Sequence, residues 1–193
     1  EGQPLGLPMS FGGPLLGILG CKLEPRLLHS LPGRLIGMTK TLRGDERAYC
    51  MILQSREQHI KRERATSNIC TNQALCAVAV AAYLSLLGRD GVVELGRQIL
   101  ARTNYMIRKL SEISSVKAPL FDAPHFKEFA YKVDGYPSHK LLRKLLENGI
   151  VGGIDLSREF DELGNSILTC VTEIHSKQDI DQYVSIVKEV VEG

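Results

Sequence analysis

Apolar and polar positions change period several times along the 193 residues. Residues 1–20, EGQPLGLPMSFGGPLLGILG, scatter apolar side chains among glycine and proline. Neither helical nor strand spacing survives there, which predicts a loop and then a short apolar segment. Residues 33–40 and 47–54 read as two strands, and Arg43, Gly44 and Asp45 between them have turn chemistry, so a β-hairpin is predicted. Residues 55–64, SREQHIKRER, are charged and compatible with a helix. TNQALCAVAVAAYLSLLG at 71–88 is apolar nearly all round and stops at a glycine, which predicts a helix buried on most sides. GVVELGRQILARTNYMIRKLSEI gives an amphipathic helix whose apolar side carries Val93, Ile99, Leu100, Tyr105, Met106 and Leu110.

The character shifts near Pro119. Residues 126–133, 150–156 and 167–174 read as strands, and 138–148 as a helix stopped by Gly149. Residues 180–191 form a last helix with Ile180, Tyr183, Val184, Val187 and Val191 on one face. This order predicts a compact α+β unit with a small antiparallel sheet. Two regions follow, 1–115 and 116–193. The first has long apolar helices and few strands to receive them, so it calls for a preceding stretch of chain or a tight oligomer. A chain that opens on Glu1 fits a fragment.

Composition narrows the function classes. A net charge of +2 is too small to argue for nucleic acid or an anionic membrane surface. KRER at 61–64 is short, flanked by acids and has no aromatic platform for bases. No apolar run reaches the roughly 18–20 residues that a spanning helix needs, and no cationic segment precedes an apolar one as in a secretory signal. The five cysteines, at 21, 50, 70, 76 and 170, show no CxxC pair. Neither a disulfide framework nor a zinc site is expected, no metal is implied, and a reducing cytoplasm is the expected location. His29, His125, His139 and His175 likewise show no metal-ligand spacing.

Four segments carry a family resemblance: GQPLGLPMSFGGP at 2–14, LPGRLIGMT at 31–39, LQSREQHIKRERATSNICTNQAL at 53–75, and the AVAAYLSLLG that follows. Together they resemble the glycine cleavage system P-protein family, glycine dehydrogenase (decarboxylating), in its alpha-type subunit. The likeness covers most of the chain and is strongest over 1–88. It implies an α/β plus α+β chain of PLP-dependent transferase fold type I, holding the end of the large domain and the small carboxy-terminal domain. It also implies a longer natural subunit, in a heterotetramer with a beta-type subunit that holds pyridoxal phosphate (PLP) covalently. The implied reaction decarboxylates glycine and passes the aminomethyl group to the lipoylated H-protein.

The resemblance also assigns residues. Aligning Pro8 and Pro14 with the Pro-His-Gly-rich segment of the beta-type subunit puts Gln3 where that subunit has its PLP-bearing lysine. A glutamine cannot form a Schiff base, and no lysine precedes Lys22. No catalytic residue is therefore expected in this chain. Cysteine desulfuration on the same fold would need that lysine too. A catalytically inactive scaffold or regulatory interaction module of the fold would suit Gln3 equally well. In related enzymes a Thr or Ser before the long helix of one subunit reaches the PLP phosphate of the other. Thr66, Ser67 and Asn68 have that placement, and hydroxyls beside a helix start suit a phosphate, although the same residues would equally cap a helix. Arg64 and His59, in the dense cationic run, are either a solvated face or further cofactor- or carboxylate-binding groups. The SFGGP loop is either a tight turn or a lining of the shared site.

Overall fold

A computed structural model describes residues 1–10, 12–65 and 73–193. The chain divides into two compact units, residues 1–86 and 87–193.

The first unit opens in a loop closed on itself, where the Gly2 N–H donates to the Leu16 carbonyl at 2.6 Å. A short helix α1, Pro25–Ser30, begins on its proline, whose missing N–H costs nothing in a first turn. Strands β1, Leu35–Lys40, and β2, Arg47–Ile52, then pair antiparallel, with Leu35 opposite Ile52 and Lys40 opposite Arg47. The predicted hairpin is thus present, and its turn is closed by the Thr41 N–H donating to the Glu46 carbonyl at 3.0 Å. Residues 55–64 do not form one helix. They make a 3-10 turn at Gln54–Arg56, a single α turn α2 at Gln58–Lys61, and a second 3-10 turn at Arg62–Arg64. Extended backbone at Glu57 (ψ 153) and a positive φ of 53 at Arg62 interrupt the hydrogen-bond ladder.

The long helical run α3, Ala74–Ser111, breaks at Gly88 (φ 61, ψ −175), the glycine that the sequence marks as a helix stop. Its first stretch departs from the predicted burial: Leu75, Val78 and Leu86 are 83%, 64% and 88% exposed. Cys76 and Val80 are its buried apolar residues. The reason is plain, because among the described residues this unit supplies only the β1–β2 ribbon and no larger sheet. By length and composition α3 would pass for a membrane span, with a mean hydropathy of 1.5 over 18 residues. The break leaves residues 74–87 as the apolar stretch, ~21 Å long at 1.5 Å per residue, against a hydrocarbon core of ~30 Å.

The rest of α3 belongs to the second unit. Ile99, Thr103, Met106 and Leu110 are buried at helical spacing, while Val93 and Leu100 of the predicted apolar side stay 45% and 39% exposed. The division between the two compact units thus falls inside α3. Strands β3 (Val116–Lys117), β4 (Glu128–Val133), β5 (Ile154–Asp155) and β6 (Ser166–Cys170) form an antiparallel sheet of order β3-β4-β6-β5. Helices α4, Ser138–Glu147, and α5, Lys177–Glu192, complete the unit. Phe129, Tyr131 and Val133 of β4 join Leu141 and Leu145 of α4, Ile167 of β6, and Ile180 and Val187 of α5 in one core. Full burial of each such side chain contributes roughly 1.5–3 kcal/mol. The small antiparallel α+β unit predicted from the sequence is present, with β5 and β6 shorter than predicted.

Two polar devices lock this core. Tyr183 Oη donates to the Gly152 carbonyl at 2.9 Å, and Tyr131 Oη lies 2.7 Å from Tyr183 Oη. With the Tyr183 proton so engaged, Tyr131 is the donor of that pair. Asp155 Oδ1 accepts from Ser138 Oγ at 2.7 Å and from the N–H and Oγ of Ser157 at 3.0 and 2.8 Å, tying β5 to the start of α4.

Candidate functional site

The segments that carry the family resemblance lie in the first unit apart from Leu87 and Gly88, and two close contacts join them in pairs. Gly6 (φ +81) packs against Tyr83, and a Cβ at Gly6 would sit 2.7 Å from the ring. That close approach requires glycine and seats the loop of residues 2–14 on α3. Arg56 makes the second junction. It is 8% exposed, and its Nη1 donates to the Leu31 carbonyl at 2.5 Å and its Nη2 to the Gly33 carbonyl. SREQHI is thereby bound to the LPG turn that leads into β1. Glu57 Oε1 lies 3.3 Å from Arg56 Nη2 and offsets the guanidinium charge.

Beyond Glu57 the polar side chains of this run face water. His59, Lys61, Arg62 and Arg64 are all exposed. Arg64 Nε lies 3.9 Å from Glu63 Oε1 with both side chains about four-fifths exposed, a geometry that contributes little to stability. His59 and Arg64 thus face solvent. Thr66, Ser67 and Asn68 lie outside the described residues.

Gln3 is half-buried. Its Nε2 donates to the Pro8 carbonyl, and its Oε1 is buried without a hydrogen-bond partner. The amide therefore closes its own loop. In the SFGGP stretch, Ser10, Gly12 and Gly13 take φ of 53, 115 and 144. A Cβ on either glycine would meet no atom within 4 Å. Backbone conformation, not crowding by a neighbour, accounts for glycine there.

These groups test the fit to PLP. At the position that the resemblance aligns with the cofactor's lysine, Gln3 presents an amide held by the Pro8 carbonyl. Lys61, Arg62 and Arg64 precede Thr66, Ser67 and Asn68 in sequence, residue types that suit an anion.

The second unit holds a cavity of about 410 Å³ lined by Met106, Ile150, Cys170, His175, Asp179 and Tyr183, among others. Its titratable groups already serve the fold. His175 Nδ1 accepts from the Thr172 N–H at 2.9 Å. The Ser176 hydroxyl and N–H hold the Asp179 carboxyl below the usual carboxylate range. Burial, aided by Glu128, pushes the Cys170 thiol up, which disfavours the thiolate. Burial also raises Tyr183 to about 12. Among the described residues no group of His, Cys, Asp and Glu could hold a metal ion.

Sequence reasoning placed Arg56 within the cationic cluster without separating it from its neighbours. Nothing in SREQHIKRER distinguishes the arginine that turns inward, since its two carbonyl partners lie 23 and 25 residues earlier.

Comparison with known proteins gives these features a frame. The sequence profile described as glycine cleavage system P-protein matches residues 1–187. The chain is 46% identical over 193 residues to a probable glycine dehydrogenase (decarboxylating) subunit 1 of Staphylothermus marinus, covering 99% of this chain and 41% of that protein. It is similar to a crystal structure of glycine decarboxylase (P-protein) of the glycine cleavage system in inhibitor-bound form. That match has a TM-score of 0.85 and 36% identity, over 98% of this chain and 42% of the other. A C-DES mutant with glycine covalently linked to its PLP cofactor matches at TM-score 0.50 and 18% identity, over 79% of this chain and 36% of the other, a likeness of fold alone. The fold is that of the PLP-dependent fold type I enzymes. The chain spans about two fifths of the length of the curated relative it matches.

Proposed function

The chain belongs to the glycine cleavage system P-protein family, and from that premise we propose that it works as part of the alpha-type subunit of a glycine dehydrogenase (decarboxylating). In this reading a beta-type partner in the same cytoplasmic complex holds PLP covalently, and this chain completes the site where the two subunits meet. The substrate is glycine, and the aminomethyl acceptor is the lipoyl arm of an H-protein. Bound PLP supplies an electron sink for the carbanion left by decarboxylation.

The carrying observation is Gln3. The position that would bear the cofactor's lysine holds an amide tied to Pro8, while the chain stays 46% identical to a subunit 1. What its own residues contribute is binding and orientation. The hydroxyls of Thr66 and Ser67 and the amide of Asn68 donate to the phosphate, and the free N–H groups of the following helix start add to that field. Arg64 and His59 place positive charge beside it or meet a substrate carboxylate, which a guanidinium binds in bidentate fashion.

The test uses the full-length subunit assembled with its beta-type partner. Changing Thr66 and Ser67 together to Ala is expected to weaken PLP retention on dialysis by about tenfold or more, the loss of two hydrogen bonds to a charged group. Unchanged retention would remove these residues from the site. A fold type I scaffold without catalysis would also suit Gln3, and one measurement separates the two readings. Glycine-dependent CO2 exchange should be absent from either subunit alone and present in the mixture. No exchange in the mixture favours the scaffold, and exchange by this chain alone overturns both.

A further inference from the structure

The β1–β2 ribbon has two unlike faces. Successive side chains of a strand point to opposite sides, and the register sets Ile36 opposite Met51, Met38 opposite Tyr49 and Lys40 opposite Arg47. These six share one face. On the other face Leu35, Gly37 and Ala48 are half-buried. On the first, all six are exposed, and Ile36, Met38, Tyr49 and Met51 are 51–69% exposed. A contiguous apolar patch rimmed by polar groups marks an interaction site.

The rim of this patch is cationic at both ends. Lys40 and Arg47 stand directly opposite one another, a like-charge pair that destabilises a ribbon. Arg34, exposed and one residue before β1, falls on the same face by alternation. Among the described residues none of these three cations makes an ion pair. The acids of the turn do not neutralise them. Asp45 Oδ1 accepts from Thr41 Oγ1 at 3.1 Å, and Glu46 alternates to the opposite face.

This make-up separates two kinds of cover. Met, Tyr and Arg are enriched in interfaces between chains, where an apolar centre is ringed by solvated polar groups. The interior of one subunit would bury three unpaired cations, at high cost. The exposed Leu75, Val78 and Leu86 of α3 show the contrast, since no charged residue occurs in 74–88. We infer that the ribbon face bearing Ile36, Met38, Tyr49 and Met51 docks a second protein chain through an apolar patch flanked by carboxylates. In the two-subunit complex proposed above that chain is the beta-type subunit, so the inference rests on that reading.

The full-length subunit assembled with its beta-type partner carries the test. Tyr49→p-benzoylphenylalanine keeps an aromatic ring and adds a photoreactive one, and mass spectrometry after irradiation identifies what lies over it. A cross-link to the beta-type subunit is expected. The same probe at Met38, opposite Tyr49, serves if the first variant does not assemble. Where the two subunits co-elute, a cross-link within the same chain, a cross-link to a second copy of it, or no cross-link overturns the inference and leaves the subunit reading intact. If the unaltered subunits do not associate, the subunit reading fails and the inference with it. Lys40→Glu with Arg47→Glu is expected to weaken association of the subunits by about tenfold at low salt, a difference that shrinks as salt is added. An unchanged dissociation constant overturns the carboxylate-flanked partner and so the inference.

Discussion

Residues 87–193 and residues 1–86 are built to different degrees of completeness. In the second unit Leu110, Tyr131, Val133, Leu141, Leu145 and Ile167 have no exposed surface. In the first, the described apolar side chains less than a tenth exposed are Cys76 and Val80, while Leu75 and Leu86 exceed four-fifths. Apolar content is not what differs, since residues 74–87 are among the most apolar of the chain. What differs is the supply of partners. Every strand of the four-stranded sheet has a neighbour, and its core face is covered by helices of the same unit. The first unit offers one ribbon, and an isolated two-stranded ribbon is marginal in water. The unit that holds the segments at 2–14, 31–39 and 53–75 is thus the one least able to bury its own apolar surface. Its fixed points are specific contacts instead: Arg56 on the LPG carbonyls and Gly6 on Tyr83.

The largest effect that could break this comparison comes from a matched pair of leucines. Leu145→Ala removes a fully buried side chain of α4 and should cost about 2–5 kcal/mol. Leu86→Ala removes an 88% exposed one and should stay within ~0.5 kcal/mol. Urea unfolding of this chain, followed by tyrosine fluorescence, measures both. Comparable losses would mean that the exposed face of α3 is covered in solution, and the contrast between the units would collapse.

A second, smaller effect sharpens it. Burial lifts both hydroxyls of the Tyr131–Tyr183 pair, Tyr183 to about 12. A raised pKa in the folded state means that the unfolded chain loses its proton first. The resulting stability is complete below pH ~10, the ordinary tyrosine value, and is lost as pH rises from there towards about 12. Tyr183→Phe should cost about 1–2 kcal/mol at neutral pH, since the Gly152 carbonyl and Tyr131 lose their partner. The variant should also unfold less steeply above pH ~10 than the unaltered chain. Identical alkaline limbs would show that the pair does not titrate with unfolding.

How much of this was legible beforehand follows the same division. Helix α5 and strand β4 announce themselves by period, because their apolar positions face a core within the same stretch of sequence. The hairpin was legible from Arg43-Gly44-Asp45 between two apolar runs. The described part of residues 71–88 was read correctly as a helix broken at Gly88 and wrongly as buried, because apolar composition says what a helix wants and not whether its partner is present. SREQHIKRER suggested a helix, but the inward turn of Arg56 depends on carbonyls far away in sequence, and no local pattern encodes that. Strand β3 is two residues long and has no period to read. Gln3 was legible only through alignment with a family segment. Its tie to Pro8 became visible in the structure.

The smallest effect confines the comparison to one helix end. Ser176 Oγ accepts from the Asp179 N–H at 3.2 Å while Asp179 Oδ2 accepts from the Ser176 N–H at 2.7 Å, a reciprocal cap on α5. The hydroxyl and N–H of Ser176 together lower the Asp179 carboxyl. A lowered carboxyl contributes stability that is present above its unfolded value and lost as pH falls through the folded one. Ser176→Ala should therefore cost about 1 kcal/mol near neutral pH and progressively less below the ordinary aspartate value near 3.9. Because the cap lies within residues 87–193, amide exchange in α5 should quicken while exchange in β1 and β2 stays as it was. If β1 and β2 quicken in step with α5, the two units unfold as one, and the difference in burial between them does not set their stabilities.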